Sequence, residues 1–288
     1  MKAAPFAYVR PARLDDVLGE LAGGDGKVLA GGQSLVPVLA MRLGRPSTLV
    51  DITAVPELTS STSDTEGYRV GAAVRQRAVE HDRAAHAVPL IGMAMPFVGH
   101  RELRSRGTVC GSLAHADPAA ELPALACCLD ATVELAGPAG RRRVPAGEFV
   151  TGAMTTAAGP EDVVVSVTFP PARTREGFGF AEIARRHGDF ALAGAVTRVR
   201  VGGDGAVTDA RLTGFGISDR AVTRDVTSLL TEHEDDLRPA IAALADDVVD
   251  TGGDAHGSTG YRRRLFGVLA ARELSRALHR ARNGKESS

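Results

Sequence analysis

The sequence predicts an α+β fold, in which a mixed region of helices and strands is followed by an antiparallel sheet and a helical end. Helix-like and strand-like apolar patterns alternate over the front of the chain. A β-branched run then ends at Pro170 and Pro171, which mark the clearest domain boundary. Beyond them, strand-like runs joined by glycine-rich turns precede a helical last third. We therefore expect a domain at 1–172, divided near 55–65, a second domain at 176–282, and a frayed tail at 283–288.

The first expected helix begins near Leu14, because its apolar residues repeat at helical spacing until Gly23 and Gly24 end the pattern. Short β-branched or apolar runs predict strands, and longer runs with helical spacing predict helices. In the front region the expected strands are 27–30, 48–52, 68–74, 132–136 and 161–170. The further helices expected there are 35–44, 75–81, 89–99 with a break at Pro96, and 118–129.

The region after the two prolines has a simpler pattern. Its expected strands are 177–186, 194–202 and 206–218, and its expected helices are roughly 222–230, 237–249 and 261–281. The strands precede the helices instead of alternating with them, which is typical of an α+β arrangement.

Composition excludes several classes of function. The 34 basic and 35 acidic residues give a net charge of −1, which does not predict binding to nucleic acid or to an anionic membrane. No apolar run is long enough for a membrane-spanning helix or a signal peptide. The three cysteines, Cys110, Cys127 and Cys128, lack the spacing of a zinc site or a four-thiolate cluster. We expect a cytoplasmic protein with reduced thiols and no metal of its own.

Two glycine loops are the strongest candidates for a binding site. Each has an apolar lead-in, a glycine and a small polar residue, at Ala30–Ser34 and again at Thr108–Ser112. Glycine lets backbone N–H groups approach an anion closely, and consecutive N–H groups form an anion-binding nest. Two such loops are able to hold a diphosphate from both sides. Ordinary turns are the alternative, because neither loop matches a dinucleotide or P-loop fingerprint.

A resemblance to a known family favours the first interpretation. The segments "AGGQSLVPVLAMRL", "RGTVCGSLAHADPAAELPA" and "FAEIARRHGDFALAGA" occur in this order. Together they resemble the FAD-binding medium subunit of the xanthine dehydrogenase and carbon monoxide dehydrogenase family, over residues 3–280. The resemblance implies non-covalent FAD on a two-part domain of the vanillyl-alcohol-oxidase, or PCMH, type. It also implies a C-terminal domain made of an antiparallel sheet with helices.

The resemblance also implies roles for individual residues. It assigns the FAD diphosphate to two loops, formed by Leu29, Ala30, Gly31, Gly32, Gln33, Ser34 and Leu35, and by Thr108, Cys110, Gly111 and Ser112. Cys110 replaces the first of two glycines that the family usually has. His115, Asp117 and Glu121 are assigned to the same site, with Glu121 on the ribityl chain.

Structural alternatives exist for two of these residues, Asp117 and His115. Asp117 is equally suited to cap a helix that has Pro118 in its first turn, and His115 is equally suited to an ordinary loop. Some relatives have a lysine near Phe180, where this chain has Ala181 and Glu182, so the resemblance assigns no flavin contact there.

The function that the resemblance implies is electron transfer in a multi-subunit molybdenum hydroxylase. A large subunit with the molybdenum cofactor and a small subunit with two [2Fe–2S] clusters are the implied partners. Electrons then leave the FAD for NAD⁺, oxygen or another acceptor. A self-contained FAD-dependent oxidase or reductase is the alternative. Electron transfer requires no catalytic side chain, because the cofactor performs the redox chemistry. The self-contained enzyme would need a base beside the flavin ring, and the sequence offers no clear candidate for it.

Overall fold

The computed structural model describes residues 2–232 and 236–284, and its first layer is a small parallel sheet. Three strands lie in the order β1-β3-β2, namely β1 (Ala7–Val9), β2 (Gly26–Leu29) and β3 (Thr48–Asp51). The connections carry helices α1 (Leu14–Leu21) and α2 (Leu35–Ala40). Leu14, Val17 and Leu21 are the buried stripe of α1, as their helical spacing predicts. In this arrangement the carboxyl ends of β2 and β3 lie side by side.

A second sheet of five strands forms the rest of the front region. Its order is β4-β5-β10-β6-β7, with every neighbouring pair antiparallel. The strands are β4 (Ser61–Ser63), β5 (Tyr68–Gly71), β6 (Thr132–Gly137), β7 (Gly140–Pro145) and β10 (Val163–Phe169), and a hairpin pairs β8 (Val150–Gly152) with β9 (Thr155–Thr156). The helices of this region are α3 (Gln76–His81), α4 (Pro89–Ala94), α5 (Arg101–Arg104), α6 (Val109–His115), α7 (Glu121–Cys128) and α8 (Ala146–Phe149).

The third sheet is antiparallel and lies between the front region and the last helices. Its strands occur in chain order: β11 (Glu176–Ala184), β12 (Ala191–Val201), β13 (Val207–Phe215) and β14 (Val222–Asp225). Helices α9 (Thr227–Glu232), α10 (Arg238–Val248) and α11 (Thr259–Asn283) follow. One face of the sheet joins the hydrophobic core of the front region, and the other packs on α10 and α11.

Contacts between the front region and the third sheet position the candidate site. The Phe97 ring lies 5.2 Å from the Phe180 ring, measured between centroids. The backbone N–H of Gly216 donates to the Pro118 carbonyl at 2.8 Å. Arg198 of β12 donates to the Asp130 carboxylate, which follows α7, at 3.1 Å.

Several predicted elements differ from the structure. The helix expected at 222–230 begins instead as β14, because its first four residues pair with β13, and α9 starts only at Thr227. The helix expected at 118–129 begins at Glu121. A frayed tail is expected at 283–288, but its first residue, Asn283, is the last residue of α11. Residues 285–288 lie outside the described residues. The domain boundaries at 172, 176 and 282 stay predictions.

Across the described ranges, no helix has the length and apolar character that crossing a membrane requires.

Candidate functional site

The first glycine loop follows β2, at the carboxyl end of the parallel sheet. Leu29 is the last residue of β2 and pairs with Asp51 of β3. Clefts at the carboxyl ends of parallel strands are the usual binding positions in open α/β sheets. The loop turns through Gly32, whose φ of +74° lies in the left-handed region that favours glycine. The chain then enters α2 at Leu35.

This loop packs directly on the backbone that precedes the second glycine segment. A Cβ atom on Gly31 would lie 2.4 Å from the carbonyl oxygen of Arg106 and 2.7 Å from the Cα of Gly107. Both neighbours are backbone atoms, so no side-chain movement relieves that clash. The structure therefore brings together the two segments that the sequence predicted to act together.

Backbone N–H groups of the first loop are available to a ligand. In the part of the chain that the structure describes, the N–H groups of Gly32, Gln33 and Ser34 donate no hydrogen bond. The Gln33 side chain folds back, and its amide donates to the Gly31 carbonyl at 3.1 Å. Ser34 is exposed at the start of α2. Consecutive free N–H groups of this kind suit an anion.

The second segment is the start of a helix and not a loop. The Thr108 hydroxyl caps α6 by accepting the Gly111 N–H at 3.0 Å, and the Thr108 carbonyl accepts the Ser112 N–H at 3.2 Å. The prediction of a loop at Thr108–Ser112 is therefore wrong, because these residues form the N-terminal turn of α6. Threonine is one of the residues preferred at a helix N-cap, and Thr108 is the sequence signal for this helix start. The N–H groups of Val109 and Cys110 remain without an intrahelical acceptor.

The thiol of Cys110 points into the core. The side chain is buried, its sulfur donates to the Val70 carbonyl at 3.4 Å, and burial raises the pKa of the thiol to about 12. Only the backbone of Cys110 is thus available to a ligand.

Two arginines lie where the two segments meet. The Arg75 guanidinium donates to the Arg106 carbonyl, the oxygen that faces Gly31. Burial and the Arg106 guanidinium lower the pKa of Arg75, while the Asp51 carboxylate acts in the opposite direction. A diphosphate bound here would be stabilised by the two arginines. No sequence pattern indicates Arg75, because only the long-range bridge between Arg75 and Thr108 places it there.

The segment from His115 to Glu121 joins α6 to α7. His115 is the half-buried last residue of α6, and Ala116 ends that helix with a left-handed φ of +50°. The Asp117 carboxylate accepts the Ala119 N–H at 2.8 Å, but α7 begins only at Glu121. The cap that the sequence suggested for Asp117 is therefore a local turn and not the start of the helix.

Glu121, which is buried, and Glu182, which is half-buried, lie close to each other in this region. Glu121 is 7% exposed, and burial together with the Asp117 carboxylate raises its pKa to about 7. Burial and the Glu121 carboxyl raise the pKa of Glu182, on β11, to about 8. Among the described residues, the Oε2 atom of Glu182 has no hydrogen-bond partner. The sequence analysis did not assign Glu182, since its proximity to Glu121 depends on the packing of two domains.

These pKa shifts predict that the flavin-free chain loses stability as pH rises. Each glutamate has its usual pKa of 4.5 when unfolded, so between pH 4.5 and about 8 the unfolded chain releases protons that the folded chain retains. Replacing both glutamates with glutamine should remove most of this pH-dependent loss of stability, because glutamine does not titrate. Urea unfolding at pH 5 and pH 8 measures it. Equal pH dependence in the variant and the parent would contradict the raised pKa values.

The residues present fit FAD. Free N–H groups and two arginines suit the diphosphate, and an unpaired buried carboxyl oxygen suits a hydroxyl group. The described residues contain no group of three or more His, Cys, Asp or Glu side chains arranged to hold a metal ion.

Comparison with known families finds two matches along the chain. Residues 4–172 match the model described as the FAD binding domain in molybdopterin dehydrogenase. Residues 178–277 match the model described as the CO dehydrogenase flavoprotein C-terminal domain.

Individual relatives cover nearly the whole chain. The 6-hydroxypseudooxynicotine dehydrogenase complex subunit alpha of Paenarthrobacter nicotinovorans is 36% identical over 100% of this chain and 99% of its own length. The carbon monoxide dehydrogenase medium chain of Afipia carboxidovorans is 31% identical over 96% of this chain and 98% of its own. A chain of quinoline 2-oxidoreductase from Pseudomonas putida superimposes with a TM-score of 0.91, at 35% identity, over 98% of this chain and 100% of that chain.

Proposed function

Because this chain belongs to the family of FAD-binding subunits of molybdopterin dehydrogenases, we propose that it transfers electrons through FAD within a multi-subunit molybdenum hydroxylase. Its partners in this proposal are a small subunit with [2Fe–2S] clusters and a large subunit with the molybdenum cofactor. The names of the relatives, which are medium chains or subunits of dehydrogenase complexes, support such partners.

The contact between the first glycine loop and the chain before the second glycine segment is the structural observation that best supports the proposal. Gly31 contacts the Arg106–Gly107 backbone, so the first glycine loop packs on the chain that leads directly into the second glycine segment. The surface around this contact combines free N–H groups with the positive charges of Arg75 and Arg106. It supports binding of a diphosphate by backbone groups, as P-loops and other glycine-rich anion sites do.

The residues of this chain have a binding and positioning task in the proposal. When bound, FAD supplies the redox chemistry, taking electrons from the iron–sulfur partner and passing them to NAD⁺, oxygen or another acceptor. The glycine segments hold the diphosphate, and Glu121 holds the polyol chain. Phe97 and Phe180 form an aromatic contact between the two domains beside that site.

The cysteines support the assignment of the metal centres to other chains. All three thiols are buried in the core, and burial raises the pKa of Cys127 to about 11 and of Cys128 to about 12. Metal ligation requires thiolates, which such burial disfavours.

Purification of the chain alone and with its neighbours tests the proposal. We expect a visible flavin spectrum, extractable FAD, and co-purification with one cysteine-rich chain and one larger chain when the genomic neighbours are co-expressed. A colourless chain that added FAD does not reconstitute contradicts the proposal. A flavoprotein that turns over a substrate without any partner supports a self-contained oxidase or reductase instead.

A further inference from the structure

Glu182 lies on the face of β11 that is directed at the front domain. Phe178 and Phe180 of the same strand belong to the core of the front region, whereas Ala181 belongs to the core formed with α10 and α11. Side chains alternate between the two faces of a strand, so Glu182 shares the face of Phe178 and Phe180. The C-terminal domain thus places a carboxyl group toward the domain that carries the glycine segments.

The register of the third sheet explains why Glu182 is close to Glu121. Glu182 pairs with Gly194 on β12, and Gly194 pairs with Phe215 on β13. The residue after Phe215, Gly216, donates to the Pro118 carbonyl at 2.8 Å. The segment that leads to Glu121 is therefore attached to the same end of the sheet as Glu182.

Gly194, which pairs with Glu182 on β12, leaves room for the Phe215 ring on this face of the sheet. A Cβ atom on Gly194 would lie 2.1 Å from the Phe215 ring, so a larger residue there would displace the ring. Phe215 in turn stacks on Phe180, with 5.9 Å between the ring centroids. Aromatic rings thus cover the sheet beside the glutamates and limit their contact with water.

The two carboxyl groups have no basic partner in the part of the chain that the structure describes. The charged neighbour that acts on Glu182 is Glu121, and the one that acts on Glu121 is Asp117. Glu182 Oε2 is buried without a hydrogen bond. A buried polar atom without a partner is costly, so a bound molecule with hydrogen-bond donors is the natural complement.

We propose that Glu182 is a positioning residue that accepts a hydrogen bond from a hydroxyl group of the flavin's polyol chain. With Glu121 it holds that chain from two domains. This inference rests on the function proposed above and adds to it a specific contact from the C-terminal domain.

The distribution of charge favours the polyol chain over the other parts of the cofactor. Either glutamate, when ionised, would repel a phosphate, whereas the arginines beside the glycine segments attract one. The carbonyl oxygens of the flavin ring are acceptors only, whereas the polyol chain offers several hydroxyl donors. A polyol next to the carboxyl pair and a diphosphate next to Arg75 and Arg106 match the charges of the site.

Binding of FAD analogues to variants of the full, flavin-free chain tests the contact. The variants are Glu182→Leu, which removes the acceptor, and Glu182→Gln, which keeps one. Glu148→Leu on the exposed part of α8 is the control. The ligands are FAD and three analogues that each lack one hydroxyl group of the polyol chain, at its 2′, 3′ or 4′ carbon. Flavin fluorescence measures the affinity of each ligand. Thermal unfolding without ligand checks that each variant is folded.

We expect Glu182→Leu to weaken FAD binding by about tenfold or more, and Glu182→Gln to weaken it by less than about threefold. For the parent chain and for Glu182→Gln, one deoxy analogue should bind more weakly than FAD. For Glu182→Leu, the same analogue and FAD should bind with equal affinity. Unchanged FAD affinity in Glu182→Leu overturns the contact. The contact is also overturned if every deoxy analogue loses the same affinity relative to FAD in the parent chain and in all folded variants.

These outcomes separate the contact from the proposed function. If the parent chain binds no FAD, the proposed function fails, and the contact fails with it. If the parent binds FAD but the three deoxy analogues reveal no hydroxyl group coupled to residue 182, only the contact fails. If Glu182→Leu does not fold, the parent chain and Glu182→Gln still test the contact. If each deoxy analogue binds both of these proteins as tightly as FAD does, the contact is overturned.

Discussion

Replacing Gly31 with alanine is expected to abolish retention of FAD while leaving most of the fold intact. The added Cβ atom would lie 2.4 Å from the Arg106 carbonyl oxygen and 2.7 Å from the Gly107 Cα, so one glycine segment must move away from the other. Each N–H contact to a charged group contributes about 1.5–3 kcal/mol, so losing two of them weakens binding by at least about 100-fold.

Fluorescence titration of the flavin-free chain with FAD measures this effect. Gly23→Ala is the matched control, because a Cβ atom there meets no heavy atom within 4 Å and the backbone does not require glycine. The control should bind FAD like the parent. Parent-like affinity in Gly31→Ala would show that the contact between the two segments does not form the binding surface.

Replacing Arg262 with methionine is expected to destabilise the C-terminal domain by about 3–5 kcal/mol, which is typical when one member of a buried polar network is removed. Arg262 is 7% exposed on α11. Its guanidinium donates to the Leu192 carbonyl at 2.7 Å, the Gly216 carbonyl at 2.8 Å and the Asp254 carboxylate at 2.7 Å. The two buried carbonyl groups would lose their partner.

Thermal or urea unfolding measures the loss of stability. Arg238→Met is the control, because Arg238 pairs with Asp236 at the surface, where 82% of its side chain is exposed. Surface pairs contribute about 0–1 kcal/mol, so the control should unfold nearly like the parent. Since Gly216 also bonds to Pro118, Arg262→Met should weaken FAD binding as well. Equal stability of the two variants would contradict a structural role for the buried network.

The sequence predicted those parts of the site that depend on local patterns. The first glycine loop lies at the end of a strand, as the apolar run before Gly31 indicated. Phe178 and Phe180 belong to β11, which covers most of the strand expected at 177–186. The order of elements in the C-terminal half was also evident, except where Val222–Asp225 pairs with β13. An edge strand of four residues has too little pattern of its own to be distinguished from a helix start.

Of the remaining features, the helix start at Thr108 is local but ambiguous in the sequence, whereas the positions of Arg75 and Glu182 depend on contacts between distant residues. The Thr108 hydroxyl caps a helix by accepting a hydrogen bond from the Gly111 N–H. In the sequence alone, the same residues are equally compatible with a glycine loop. Arg75 reaches the site through a single bridge to Thr108, and Glu182 through the register of three strands. No local pattern contains this information, so these two residues were found only in the structure.

The central claim is that the two glycine segments together hold the diphosphate of FAD. Titration of the flavin-free chain with FAD and with riboflavin, which has the same ring and polyol chain but no phosphate, tests it most directly. We expect FAD to bind at least about 100-fold more tightly at low salt, because charge-assisted hydrogen bonds to the phosphates are lost with riboflavin. Equal affinity for the two ligands would contradict the claim.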